Sequence, residues 1–516
     1  MEKVPCQKWL ALFGAMLGAF MAVLDIQITN SSLNDISGAL GCSLDEGSWI
    51  STAYLVAEIV VIGATGWLAR VFSIKRYLLF STVAFVVCSI FCAFAQNLNM
   101  MIVGRALQGL TGGALIPLAM TINLLILPPR VQPIGSAIFA MTATFAPAIG
   151  PTIGGWLTDN YGWQWIFFIN VVPGVLMFFL ISTYLEADKP RISLLKEGDY
   201  WGIFAMAIGL GSLEYVLEEG ERKDWFGNPL IVRLAIVAVI FIVLFLVIEF
   251  TSRKPFVNLR VFRCRRFSLC CIVLGALGLA LYGTVYLIPL YLAQVQGYSP
   301  FQIGLTLMWV GMPQLFILPF VPKLMKVVDA RIIAGVGILL FSGSCFIDAF
   351  LSPDFAMDQF RFSNIVRALG QPLIFVPLLS MSTEDLPRSE AGSASALFNM
   401  TRNIGGSVGI ALLATLLTQR EHFHSVRIGE WVTTYTPAVQ ARLDTLTDLF
   451  QSQGIDPTTA NDYALKALNQ VVQKQAYLMA YSDSFFIIGA ALLLSGGSLF
   501  FLPKSHAMQG GVPAAH

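Results

Sequence analysis

The sequence predicts an all-α membrane protein of about fourteen transmembrane helices, and three observations carry that prediction. Apolar residues fill 56% of the 516 positions and charged residues only 12%, whereas a soluble domain carries about 25% charged residues to face water. The apolar excess is gathered into blocks of the length that crosses a bilayer core of roughly 30 Å, about 20 residues per helix. Lysines and arginines recur in every second loop between those blocks, as the positive-inside bias requires. The net charge of +1 excludes a polybasic nucleic-acid binder.

In chain order the blocks lie near residues 9–32, 48–69, 77–96, 99–123, 134–157, 163–185, 200–217, 229–250, 268–292, 302–323, 331–350, 358–381, 392–418 and 482–503. They are too long and too continuously apolar for barrel strands, which alternate over about ten residues. The first block follows Lys3 and Lys8 as a secretory signal would, but no small-x-small cleavage site stands in the right place and further spans follow at once. With the N-terminus in the cytoplasm, the inner loops carry Arg70, Lys75 and Arg76; Arg130; Lys189, Arg191 and Lys196; Arg253, Lys254, Arg260, Arg263, Arg265 and Arg266; Lys323, Lys326 and Arg331; and Arg388. The outer loops near 33–47, 97–98, 158–162, 293–301 and 351–357 contain neither Lys nor Arg. Only the 218–228 loop, with Arg222 and Lys223, breaks the alternation. Both termini are therefore expected in the cytoplasm.

The outer segment 419–481 is different in kind. Leu443, Leu446, Leu449 and Phe450 fall at helical spacing, Asp456-Pro457-Thr458-Thr459 breaks and recaps the chain, and Leu465, Leu468, Val471 and Val472 continue at helical spacing. Two amphipathic helices are expected, either capping the protein's own outer face or docking another protein. His422 and His424 alone do not make a metal site. Of eight cysteines only Cys42 is placed outside, so buried free thiols are expected rather than a disulfide framework.

An ionisable side chain inside a spanning helix is costly, and is a functional candidate for that reason. Asp25, Glu58 and Arg105 fall in the first, second and fourth spans, at depths of roughly 10–16 Å from the outer end at 1.5 Å per residue. At matched depth the three can share one polar cavity. A carboxylate in a low-dielectric site holds its proton more tightly than in water, and a nearby arginine opposes that. Asp25 and Glu58 are thus candidates for proton exchange or for pairing with a cationic substrate, the alternative being a fixed structural ion pair with Arg105. Arg367, Asn399 and Arg402 fall in later spans, where gate or packing roles are expected. Glu214, Glu249 and Asp348 sit near span ends, where solvated side chains are expected. In the fifth span, Pro151 predicts a bend, and Gly150, Gly154 and Gly155 predict close packing at a rocking seam. No phosphate-binding G-x-x-x-x-G-K-[ST] loop is present, and neither a metal cluster nor a catalytic constellation stands out. An ion gradient is therefore the expected energy source, with no cofactor and no enzymatic activity.

Leu24-Asp25-Ile26-Gln27-Ile28-Thr29-Asn30 resembles the L-D-x-T-I-x-N first-helix motif of the fourteen-helix drug:proton antiporters of the EmrB/QacA type in the major facilitator superfamily, with Gln27 in place of threonine. Arg105-Ala106-Leu107-Gln108-Gly109 resembles the family's R-x-x-Q-G motif, associated with proton coupling, and Gly150-Pro151 with Gly154-Gly155 resembles its G-P-x-x-G-G antiporter motif. The second-to-third-helix loop departs from the family, with Arg70 where G-x-L-A-D places its aspartate. The resemblance implies a six-helix bundle over 1–190, two additional helices within 191–260, and a second six-helix bundle over 261–516. It implies proton-driven export of small hydrophobic or cationic compounds, multidrug efflux, from a multi-pass position in a bacterial inner membrane. Since segment 419–481 is similar to the EmrB-type loop, it also implies an EmrA-like periplasmic adaptor and an outer-membrane channel as partners. Export of a native metabolite such as a siderophore, fatty acid or bile salt is the second reading. A non-transporting sensor or scaffold of the same fold is the third.

Overall fold

The computed structural model describes residues 4–128, 131–196, 198–252, 257–387, 390–433 and 435–503, so that Lys3, Arg130, Arg253, Lys254 and Arg388 lie outside the described residues. Every regular element among the described residues is helical. The first half comprises α1 (Cys6–Ser31), α2 (Trp49–Phe72), α3 (Ile74–Ala93), α4 (Leu98–Gly112), α5 (Leu115–Ile126), α6 (Gln132–Tyr161) and α7 (Val171–Tyr184). Then come α8 (Tyr200–Glu219) and α9 (Pro229–Thr251). The second half comprises α10 (Arg265–Gln294), α11 (Pro300–Ile317), α12 (Ala330–Asp348), α13 (Met357–Thr383), α14 (Ala391–Gly429), α15 (Pro437–Ser452) and α16 (Pro457–Ser495). Each apolar block read from the sequence falls mainly on one of these helices, except that 99–123 falls on α4 and α5 together, 163–185 begins in a short helix, Trp165–Phe168, ahead of α7, and 302–323 runs past α11 into another, Val321–Leu324. Among the described residues twelve segments are long and apolar enough to cross a bilayer, and α6 makes another if its two arms, bent by 44° next to Pro147, form one span.

Within the first half α1 is central, packed on α5, α6 and α7; in the second half α10 packs on α14 and α16, and α13 packs on α11 and α12. The halves meet along two seams, α6 against α11 and α13, and α2 and α5 against α14. On the second seam backbones touch: a Cβ at Gly66 would come within 3.1 Å of the Gly392 carbonyl oxygen. A cavity of about 20 Å³ lies where Pro147 of α6 meets Leu281, Leu307, Phe341, Arg367 and Gln371 of the second half, and it has room for about one water. An organic substrate enters this part of the seam only if the halves part.

The two intervening helices are not equivalent. α8 lies against α2 and α14, one from each half. α9 packs on α8 and leaves Ile236, Val239, Ile240, Val243 and Val247 exposed, an apolar face suited to lipid. The loop after α8 explains its exception to the charge alternation. Arg222 and Lys223 lie 3.6 and 3.8 Å from the Glu219 carboxylate, and Lys223 Nζ donates to the Tyr215 hydroxyl at 2.9 Å. Their charge is balanced locally.

The outer segment departs from the expected pair of separate helices. α14 runs unbroken from its span to Gly429, and α16 begins at Pro457 and runs unbroken into the last span. Only α15 is a separate element; it has no buried residue and packs on α16. The sequence signal at Asp456 is a true cap: its carboxylate accepts from the Thr458 hydroxyl at 2.5 Å and the Thr459 N–H at 3.0 Å. These two donors hold the Asp456 carboxyl down at about 2, so the cap stays ionised at physiological pH. Arg420 and His424 of α14 both reach Asp483 of α16, at 2.6 and 2.8 Å, which pins the two long helices together where they leave the apolar region.

Candidate proton and substrate site

Asp25 sits in the middle of α1 with 1% of its surface exposed, and Arg105 on α4 is fully buried beside it. The guanidinium Nη1 donates to Asp25 Oδ2 at 2.5 Å. The other carboxylate oxygen accepts from Gln108 Nε2 at 2.9 Å and from Asn170 Nδ2 at 2.6 Å. Arg105 in turn donates from Nε to the Ile50 carbonyl at 3.2 Å and from Nη1 to Gln108 Oε1 at 2.7 Å, and its guanidinium lies 4.3 Å from the centre of the Tyr54 ring. A buried ion pair persists when its remaining lone pairs and protons are satisfied; here α4 and Asn170 supply donors to the carboxylate, and the Ile50 carbonyl of α2 and Gln108 Oε1 accept from the guanidinium. Sequence reasoning quoted Gln108 within its motif without giving it a role, and it missed Asn170. Both are amides in otherwise apolar runs, which was the available signal.

The rest of the first-helix motif ties α1 to its neighbours. Asn30 Oδ1 accepts from Ser51 Oγ of α2 at 2.6 Å. Gln27, the departure from the family pattern, faces the antiporter motif: a Cβ at Gly150 would come within 2.5 Å of Gln27 Cβ. A Cβ at Gly154 would meet Ser31 Oγ at 2.3 Å and the Ile28 carbonyl at 3.0 Å. Glycines at both positions let α6 lie directly on α1 within the first half. Thr152, between them, points the other way, where a Cβ at Gly304 of α11 would come within 2.4 Å of its hydroxyl. The motif therefore stands between Asp25's helix and the seam.

Glu58 does not join this network. It is 3% exposed, yet among the described residues its carboxylate has no hydrogen-bonding or ion-pair partner. Its Cγ lies against Gly113, where an added Cβ would come within 2.9 Å of it, and its helix α2 also packs on α14 of the opposite half. Matched depth therefore placed the three residues in one region, but Glu58 stands outside the hydrogen bonds that join Asp25 and Arg105. Asn399, one turn before Arg402, is fully buried; its Nδ2 donates to the Ser395 carbonyl at 2.9 Å and lies 3.7 Å from Met120 Sδ on α5.

The second half holds its own buried pair. Arg367 Nη2 of α13 donates to Asp348 Oδ2 of α12, and Nη1 donates to Asn364 Oδ1 at 2.8 Å. Asp348, Glu214 and Glu249 are all at most 3% exposed, which corrects the expectation that they sit solvated at span ends. Proximity to a helix end measures depth along an axis and is blind to neighbouring helices. Replacing Arg367 with leucine strands the Asp348 carboxylate in the core, and breaking such a pair costs about 3–5 kcal/mol. The expected result is a clearly lowered melting temperature of the purified protein, partly restored by adding Asp348→Asn. Unchanged melting would contradict this.

At the inner loop the family aspartate is replaced by Arg70, and Glu390, which precedes α14, accepts from Asn258 Nδ2 at 2.8 Å. Ser73 occupies the left-handed region at φ 78°. Its hydroxyl donates to Asp188 at 2.5 Å, as does the Ile74 N–H at 3.1 Å. The eight cysteines are free thiols, and no group of three metal-ligating side chains occurs among the described residues.

Residues 15–410 match the family profile described as Major Facilitator Superfamily. The colistin resistance protein EmrB of Acinetobacter baumannii is 34% identical over 97% of this chain and 98% of its own length. The multidrug export protein EmrB of Escherichia coli (strain K12) is 31% identical over 97% of this chain and 96% of its own length. Among solved structures, the human organic anion transporter MFSD10 (TETRAN) superposes with a TM-score of 0.59 at 11% identity, covering 96% of this chain and all of that one.

Proposed function

We propose that this chain, which belongs to the major facilitator superfamily, is a proton-driven antiporter that exports small hydrophobic or cationic compounds as the inner-membrane part of a tripartite efflux pump. It is a multi-pass membrane transporter and not an enzyme. We place fourteen spans in the membrane with both termini in the cytoplasm, a six-helix bundle on either side of α8 and α9. The observation that carries the proton reading is the Asp25 carboxylate, buried in α1 and held by Arg105, Gln108 and Asn170. Protonation of Asp25 would remove the anion that holds Arg105, and that change is the coupling step. The antiporter motif, packed on the same helix and on the opposite half, would carry it to the seam. Arg367 and Asn399 would act as packing elements of that seam.

Glu58 is the substrate-facing acid in this reading, because it alone of the two candidate carboxylates is uncommitted to a donor. Glu58→Gln is expected to weaken export of cationic compounds by about tenfold while neutral compounds change little, since a charge-assisted contact is worth about 1.5–3 kcal/mol. Export rates for matched cationic and neutral dyes decide this, and equal losses would assign Glu58 to protonation or structure instead. The names of the relatives support the efflux reading. An accumulation assay with a broad compound panel in an efflux-deficient host, with and without a co-expressed adaptor, tests it. Lower accumulation of several unrelated compounds, strongest with the adaptor, is expected. No change for any compound would contradict multidrug export.

A further inference from the structure

Arg402 resembles Glu58 in one respect: it is 3% exposed and has no ion-pair partner among the described residues. Its guanidinium donates only weakly to Asn403 Oδ1 of its own helix, at 3.3 and 3.4 Å, and faces the Tyr282 hydroxyl of α10. α2 and α14 touch at Gly66 and Gly392, and Glu58 and Arg402 lie eight and ten residues along these antiparallel spans from that contact, roughly 12 and 15 Å at 1.5 Å per residue, with no ion pair between them. They come from opposite halves, Glu58 from α2 and Arg402 from α14. Glu214 of α8 borders the same cluster, but its carboxylate is engaged by the Ser407 hydroxyl at 2.7 Å.

Buried charges of opposite sign are ordinarily paired, because burying either alone costs several kcal/mol. Here an acid and a base are both buried, neither has an ion-pair partner among the described residues, and they stand at similar depth on the two sides of the seam between the halves. A ligand bearing only a cation would satisfy Glu58 and leave Arg402 unmatched. A ligand bearing only an anion would do the reverse. A molecule that carries both charges on an apolar body neutralises the two at once and bridges the halves.

We propose that Glu58 and Arg402, with the Tyr282 hydroxyl beside the guanidinium, form a binding site for zwitterionic amphiphiles, in which Arg402 is the specificity-determining residue for the ligand's carboxylate. The inference rests on the export reading above and names a substrate class for it. Arg402 thereby takes a recognition role that the sequence, which offered only gate or packing, did not suggest.

Rhodamine B and its ethyl ester share a cationic ring system and differ in one free carboxylate, so the ratio of their affinities isolates the Arg402 contact. Equilibrium dialysis against the full chain in lipid nanodiscs, corrected with empty nanodiscs, gives that ratio without any proton gradient. The wild type is expected to bind the acid about tenfold more tightly than the ester, the value of one buried charge-assisted contact. Arg402→Gln should bring the ratio near one, Arg402→Lys should retain most of it, and Glu58→Gln should weaken both dyes while preserving it. A merely structural Arg402 would shift both affinities together. A wild-type ratio near one, no binding of either dye, or a ratio unaltered in Arg402→Gln would overturn the proposal. If Arg402→Gln does not fold, the wild-type ratio and Tyr282→Phe, expected to lower it about threefold, still decide. Failure of proton coupling would leave the ratio untouched, so the two readings fail separately.

Discussion

Asp25→Asn is expected to abolish proton-gradient-driven export, reducing dye transport in proteoliposomes to that of empty liposomes, while the protein remains folded. Asparagine has nearly the shape of aspartate, and its carbonyl oxygen can still accept from Arg105, Gln108 or Asn170. It cannot give up a proton. The Arg105 charge then has no counter-ion in either conformation and keeps only neutral partners, the Ile50 carbonyl, Gln108 and the Tyr54 ring among them, so a lower melting temperature accompanies the loss. Monodisperse elution of the mutant separates lost coupling from lost fold. Near-normal gradient-driven transport would sink the assignment of Asp25 as the proton site.

The second large effect concerns the outer hairpin. Replacing the residues between Glu430 and Thr458 with a short flexible linker removes α15, which buries none of its side chains. It also takes out Asp456 and Pro457, the cap and first residue of α16, and leaves α14, the rest of α16 and the Arg420–Asp483 and His424–Asp483 contacts in place. Trp431, Tyr435 and Leu449, exposed at 79%, 90% and 52%, are apolar and aromatic side chains that the transporter itself does not cover. Transport by the shortened protein in vesicles should match the full chain. Resistance of cells expressing it with the adaptor should fall to near that of cells without the pump, because substrate must there cross a second membrane. Loss of vesicle transport would assign the segment to the transporter's own fold, and full resistance in cells would remove the docking role.

The helices were legible because their signal is long and redundant: blocks of about 20 apolar residues admit few alternatives, and the loop charges checked the count. The outer segment was misjudged because falling hydropathy marks where a helix leaves lipid, whereas a helix ends where a breaker stands. No breaker occurs between Thr418 and Gly429 or between Thr458 and Tyr481, so α14 and α16 continue. For the site, depth could be read from residue count, and depth brought Asp25 and Arg105 together. Facing could not be read so well. Glu58 stayed outside the Asp25–Arg105 network, and Asp348 found Arg367, because rotation of each helix is set by neighbours far away in sequence. Asn170 was hidden for the same reason: 145 residues separate it from Asp25.

Coupling between substrate and proton at Asp25 is the central claim, and proton release by the purified protein tests it most directly. In weakly buffered detergent solution near neutral pH, adding a saturating cationic dye to the wild type should release protons in a fixed ratio to protein. The same addition to Asp25→Asn should release none, although the dye still binds through Glu58. Dye binding to the wild type without proton release, or equal release from both proteins, would contradict the account.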